Sequence, residues 1–100
     1  MSNQMFHQVV FLAKALNDIK VYKSHSDKET IKYIWVLIKD IDVNGDLEGQ
    51  GNPERLRRNF SGWYSRRINY FDRLIYKTNN DLIEILSCHG HYGELESYVN

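Results

Sequence analysis

Pro53-Glu54, the arginines Arg57, Arg67 and Arg73, and the closing pair His91-Tyr92 are together a set of side chains that could cut RNA without a metal ion. RNA carries its own nucleophile, the 2′-hydroxyl. A protein that uses it needs a base for that proton, an acid for the departing 5′-oxygen, and positive charge on the phosphorane between them. Glu54, stiffened by the preceding proline, is the candidate base. His91 is the candidate acid, because an imidazole titrates near neutral pH. Arg73 is the candidate phosphate clamp, with Arg57 and Arg67 placing the strand, and Tyr92 could stack on a base or reach a phosphate oxygen. Each residue has a plainer alternative. Glu54 could open a helical turn, and His91 could be a surface residue at a strand end. His89 and His91 share a strand spacing that invites a metal, but two histidines without a third ligand make a weak site. No metal or cofactor is expected.

The formal net charge is zero, but the charge is unevenly distributed. From Gly51 to Lys77 seven basic residues face only Glu54 and Asp72, a net +5, and the remainder of the chain carries the opposite charge. Six of those seven are arginine, whose planar fork favours bidentate phosphate recognition. A solvated basic face is the bland alternative. The acidic remainder argues against a general nucleic-acid coat and for a small basic pocket that engages one place on a polyanion.

The elements that must hold these residues can be read in outline. One hundred residues make one domain with a small core. A single cysteine, Cys88, excludes an internal disulfide and fits a reducing cytosol. No stretch approaches the roughly 20 apolar residues of a membrane span, and the run Val9 to Ala13 lacks the basic flank of a signal peptide. His7 to Leu12 reads as a strand and Ala13 to His25 as a helix. Ser26 and Glu29 suggest a capping box for a second helix, with Ile31, Ile34, Trp35, Ile38 and Ile41 on its apolar face and Asn44-Gly45 as its stop. A glycine-rich loop follows to about Phe60. Strands are expected over Trp63 to Tyr70, Arg73 to Thr78 and Asp81 to His89, with a turn at Asn79-Asn80. Alternation puts Arg66 and Arg67 on opposite faces, so one of them is structural or faces a partner. Trp35 and Trp63 are expected in the core, and Tyr76 at its edge. The expected architecture is α+β, a β-α-α-β-β-β domain with both helices on one face of a mainly antiparallel sheet. It would span residues 1–92, with a polar tail over 93–100.

Four elements in order carry a resemblance. They are Gly-x-Gly-x-Pro-Glu-x-Leu at Gly49 to Leu56, Ser-Gly-Trp-Tyr-Ser-Arg-Arg-Ile at Ser61 to Ile68, Arg-Leu-Ile-Tyr at Arg73 to Tyr76, and Cys-x-x-His-Tyr at Cys88 to Tyr92. The set resembles the YoeB/Txe family of bacterial toxins, in the RelE superfamily. It covers roughly Gly49 to Tyr92, while the first 48 residues match in layout only. The likeness implies ribosome-dependent cleavage of mRNA in the A site, leaving a 2′,3′-cyclic phosphate, and so an arrest of translation. It implies Glu54 as general base, Arg73 as phosphate-stabilising arginine and His91 as general acid. Arg57, Arg67 and Tyr92 take its substrate-contacting positions. It further implies a YefM-type antitoxin, the ribosome and mRNA as partners, a homodimer, and the cytoplasm as location.

Two features depart from that pattern. The chain continues past His91-Tyr92 for eight residues that include Glu94 and Glu96, and His89 stands where a basic or polar residue is common. Met5 also offers an alternative start. A different class remains open, a non-catalytic ParE-like protein that acts on DNA gyrase by binding. ParE-like proteins lack the glutamate, arginine and histidine constellation.

Overall fold

In the computed structural model, which describes residues 4–90, the chain forms a five-stranded sheet with two helices against one face. The first strand, β1, is Gln8–Phe11, followed by helices α1, Ala13–Ser24, and α2, Lys28–Asn44. A two-residue strand β2, Glu54–Arg55, precedes a 3-10 turn at Arg58–Phe60. Strands β3, Tyr64–Arg67, β4, Arg73–Asn79, and β5, Leu82–Ser87, complete the sheet. The spatial order is β1-β5-β4-β3-β2, with β1 parallel to β5 and every other pair antiparallel. This is the α+β architecture expected from the sequence, with one short strand added at the edge.

Apolar periodicity explains which faces are covered. On α2, Ile34, Leu37, Ile38 and Ile41 fall at helical spacing and are fully buried. With Ala15 and Tyr22 of α1 they pack on Leu74, Tyr76, Ile83 and Ile85, the inward alternates of β4 and β5. A smaller cluster lies on the other face, where Leu56, Phe60, Ile75 and Leu86 pack together with Leu12 and Trp63 against them. That second cluster anchors β2 and the 3-10 turn, and so fixes the backbone around Glu54 and Arg57.

Two buried carboxylates on the helices tie down the chain ends of the sheet. Asp42 accepts hydrogen bonds from the Phe6 and His7 N–H groups at 3.0 and 2.8 Å, and its Oδ1 lies 2.7 Å from His7 Nδ1, so it fixes the entry to β1. Asp18 accepts from Lys14 Nζ and from the Cys88 N–H at 2.9 Å, where β5 ends. Tyr22 donates its hydroxyl to the Cys88 carbonyl at 2.7 Å. Burial, with Asp18 nearby, pushes the Cys88 thiol up to about 12, which keeps it protonated and unreactive.

Several local expectations are corrected. The second helix is capped by Asp27, which accepts from the Thr30 N–H at 3.2 Å, because Ser26 takes a left-handed φ of 55° in the turn before it. Trp35 is 44% exposed, since it sits at the margin of the α2 stripe against Phe11. Trp63 is half-buried on the second cluster, while Tyr76 lies wholly inside rather than at the core edge. The third strand stops at Arg67, where Asn69 Oδ1 accepts from the Phe71 and Asp72 N–H groups and turns the chain.

Candidate active site

Glu54 is neither in a loop nor at the start of a helix. It opens β2 and pairs with Ser65 of β3, which pairs in turn with Ile75 of β4, while Arg67 pairs with Arg73. Directly paired residues share a face, so Glu54, Ser65, Arg67 and Arg73 all project away from the helices. There Arg73 Nη1 lies 3.5 Å from Glu54 Oε1 and donates to Ser65 Oγ at 3.2 Å. The carboxylate is 47% exposed and the guanidinium 18%. An ion pair this open contributes at most about 1 kcal/mol to stability. At 3.5 Å it is also longer than a charge-assisted hydrogen bond of roughly 2.7–2.9 Å, so both groups keep capacity for an incoming ligand.

Beside the pair lies an open cleft of ≈ 680 Å³, lined among the described residues by Glu54, Arg55, Leu56, Arg57 and Arg58. Leu56 is buried and anchors the wall, leaving Glu54 and Arg57 exposed on either side of it. Arg67 is exposed on the strand next to Arg73, so two arginines occupy directly paired positions on this face. Like charges placed so are unfavourable in isolation and become favourable when an anion bridges them.

Behind this face, Arg66 points the other way and is fully buried. It donates to Tyr76 Oη at 2.9 Å, to the carbonyls of Gly45, Glu48 and Gln50 at 2.8, 2.7 and 2.9 Å, and to the Asp40 carboxylate. One guanidinium thereby gathers the whole connection from α2 to β2. The Gly49-x-Gly51 spacing follows from this closeness. Gly49 has a φ of 112°, and a Cβ there would collide with the Asp40 carboxylate. At Gly51, with φ 84°, a Cβ would lie 3.0 Å from Arg66 Cβ. Burial alone would raise the Asp40 carboxyl, but the Gln50 N–H, Arg66 and Asn44 donate to it and hold it below the usual range.

On the opposite side of Arg73, the approach to His91 is fastened in place. Lys14 donates to the His89 carbonyl at 2.7 Å, and the Gly90 N–H donates to Asp72 Oδ1 at 2.9 Å. The Arg73 N–H points to the Gly90 carbonyl at 3.3 Å. Gly90, the residue before His91, is thus held against the backbone of Arg73. Burial works to raise the Asp72 carboxyl, yet hydrogen bonds from Gly90 and Asn69, the nearby His89 ring and the Tyr22 hydroxyl outweigh it and depress its pKa. The same surroundings, burial foremost, push the Tyr22 hydroxyl far up.

Of the six residues singled out from the sequence, Glu54 and Arg73 touch, Arg67 joins them on the same face, and Arg57 lines the adjoining cleft. His91 and Tyr92 lie outside the described residues, as does the 93–100 tail. Sequence reasoning missed Ser65, which strand alternation places on the same face as Arg67. It also missed Asp18, Asp40 and Asp72, whose spacing on the chain gives no sign of their partners.

These features define a small α+β domain with an arginine-rich, carboxylate-bearing cleft on the sheet face that the helices leave open. The model of the YoeB-like toxin of bacterial type II toxin–antitoxin systems matches residues 11–92. Toxin YoeB of Escherichia coli is 41% identical over 75 residues, covering 75% of this chain and 88% of that protein. Toxin YoeB of Synechocystis is 43% identical over 67 residues, covering 67% and 77%. Among solved structures, a YoeB dimer from Staphylococcus aureus superposes with a TM-score of 0.81 at 44% identity, covering 87% of this chain and 99% of that one. A heterotetrameric YoeB–YefM complex from the same organism gives 0.79 at 44%, covering 86% and 98%. The chain belongs to the YoeB-like toxin family.

Proposed function

We propose that this toxin is a metal-independent endoribonuclease that cuts mRNA in the ribosomal A site. The observation that carries this reading is the Glu54–Arg73 pair at 3.5 Å on the open sheet face, with Gly90 held beside Arg73. Glu54 takes the proton of the 2′-hydroxyl, whose oxygen attacks the adjacent phosphorus. Arg73, steadied by Ser65 Oγ, binds the phosphate oxygens as negative charge accumulates on them. His91 gives a proton to the leaving 5′-oxygen, so the products are a 2′,3′-cyclic phosphate and a 5′-hydroxyl. Arg67 and Arg57 hold the neighbouring phosphates, and Tyr92 packs on the substrate. Rate enhancement from each acid–base group is roughly 10²–10⁴-fold.

The partner proposals follow from the relatives. An antitoxin of the YefM type neutralises the toxin, as the pairing in the Staphylococcus aureus complex suggests, and the toxin forms a homodimer like the one solved from that organism. The ribosome presents the substrate, which places the protein in the cytoplasm. No helix among the described residues is long and apolar enough to cross a membrane.

Product ends test the mechanism. Fragments should carry a 2′,3′-cyclic phosphate that blocks 3′ tailing until acid opens the ring and a phosphatase removes the resulting monoester, together with a 5′-hydroxyl. Fragments with a 3′-hydroxyl and a 5′-phosphate would require water as nucleophile and would rule out this role for Glu54.

A further inference from the structure

The turn that joins Arg67 to Arg73 exposes two aromatic side chains, Tyr70 at 82% and Phe71 at 68%. Their rings meet edge to face, with centroids 5.0 Å apart and planes at 88°. Exposed rings on a loose loop would need no explanation, but this turn is braced. Asn69 Oδ1 accepts from both the Phe71 and Asp72 N–H groups at 2.8 Å, and Asn69 Nδ2 donates to Asp72 Oδ2 at 3.0 Å. The Ile68 N–H donates to the Asp72 carbonyl at 2.9 Å, and Asp72 Oδ1 holds the Gly90 N–H. The rings are therefore held out in solvent by a turn stitched to Gly90 and, through β3 and β4, to two phosphate-binding arginines.

Building on the reading that this toxin acts on RNA, we infer that Tyr70 and Phe71 form a stacking platform for one unpaired nucleobase next to the phosphate held by Arg67 and Arg73. Three residues span at most about 11 Å, so the Cα of Tyr70 lies within that distance of the Cα of either arginine. A base–aromatic contact beside cationic side chains is the usual arrangement for single-stranded RNA. Charge and surroundings favour a base over a protein side chain as occupant. Most other large exposed apolar residues lie on β1, its approach and the helices, namely Phe6, Val10, Leu16, Trp35, Val36 and Val43. The turn instead carries its rings between arginines, apart from the contiguous apolar core expected of a protein interface. The phosphate that Arg67 and Arg73 hold is the mRNA's, so the base is the neighbouring one of the mRNA in the A site.

The test uses the full chain with ribosomes programmed by an mRNA that bears 2-aminopurine in the A-site codon and 2′-O-methyl riboses there to prevent cutting. Wild type, the double variant Tyr70→Ala/Phe71→Ala and the ring-retaining Tyr70→Phe are titrated, and Kd and fluorescence are read together. The double variant should bind about tenfold or more weakly, while Tyr70→Phe should stay close to wild type. A fluorescence change on wild-type binding that the double variant lacks supports the mRNA base as occupant, and a Kd shift without a fluorescence change overturns that assignment. A folded double variant with wild-type Kd overturns the inference, including the case in which it loses antitoxin affinity instead. Wild type that neither binds nor cuts on programmed ribosomes would defeat the proposed function itself, which separates that failure from this one.

Discussion

Glu54 and Arg73, the pair proposed to carry the chemistry, contribute little to stability. The carboxylate is half open to solvent and the pair loosely spaced, so Glu54→Gln should leave the unfolding free energy unchanged within about 0.5 kcal/mol while lowering cleavage by roughly 10²–10⁴-fold. A thermal melt and a timed cleavage assay on one preparation check both halves, and a variant that cuts at the wild-type rate removes Glu54 from the chemistry. Ser65→Ala should fall between wild type and Arg73→Ala in rate, since it removes one contact that orients the guanidinium. At this scale the sequence was informative about residue types and silent about partners. Glu54 and Arg73 are nineteen positions apart, and only the registers of β2, β3 and β4 bring them together. Alternation separated Arg66 from Arg67, but only packing shows that Arg66 is the inward one.

The connection between α2 and β2 shows how elements position the site. Arg66 spends its donors on three carbonyls, a tyrosine and Asp40. Truncating one member of a buried ion pair typically costs about 3–5 kcal/mol, so Arg66→Ala should lower the unfolding free energy by an amount of that order. Urea unfolding measures this, and a loss below about 1 kcal/mol would contradict the network. Gly49→Ala should also destabilise the fold, because it meets both a positive φ and the Asp40 carboxylate. The helices and long strands were legible because Ile34, Ile38 and Ile41, or the apolar run of β4, repeat with a clear period. Strand β2 is two residues long and leaves no alternation to read. Trp35 fits the helical period of α2 yet lies at its margin, since period alone does not say how wide the buried stripe is.

Across the whole molecule, electrostatics sets both pH behaviour and association. Asp40, Asp42 and Asp72 all have depressed pKa values in the fold, each because hydrogen bonds outweigh the burial that would raise it. Each therefore contributes stability that is present above the unfolded aspartate value of about 3.9 and is lost as pH falls through the folded value. The stability curve should drop steeply below about pH 4, and Asp72→Asn should make that acid limb shallower. An unchanged limb in equilibrium unfolding across pH would contradict the Gly90–Asp72 tie. The basic run from Gly51 to Lys77 calls for an acidic antitoxin surface, so added salt should slow association in stopped-flow more than it weakens final affinity. Salt-independent association would contradict that account. The charge asymmetry was plain in the sequence. The carboxylates that tie down the sheet were not, because buried aspartates on helices look like solvated ones until the fold is known. The central claim is that acid–base chemistry in this cleft cuts mRNA on the ribosome. Primer-extension mapping in a reconstituted translation system, with wild type and His91→Ala side by side, tests it most directly. Cuts at the A-site codon that require ribosomes and disappear in the variant are the predicted result, and equal cutting by both proteins, or none by folded wild type, would contradict it.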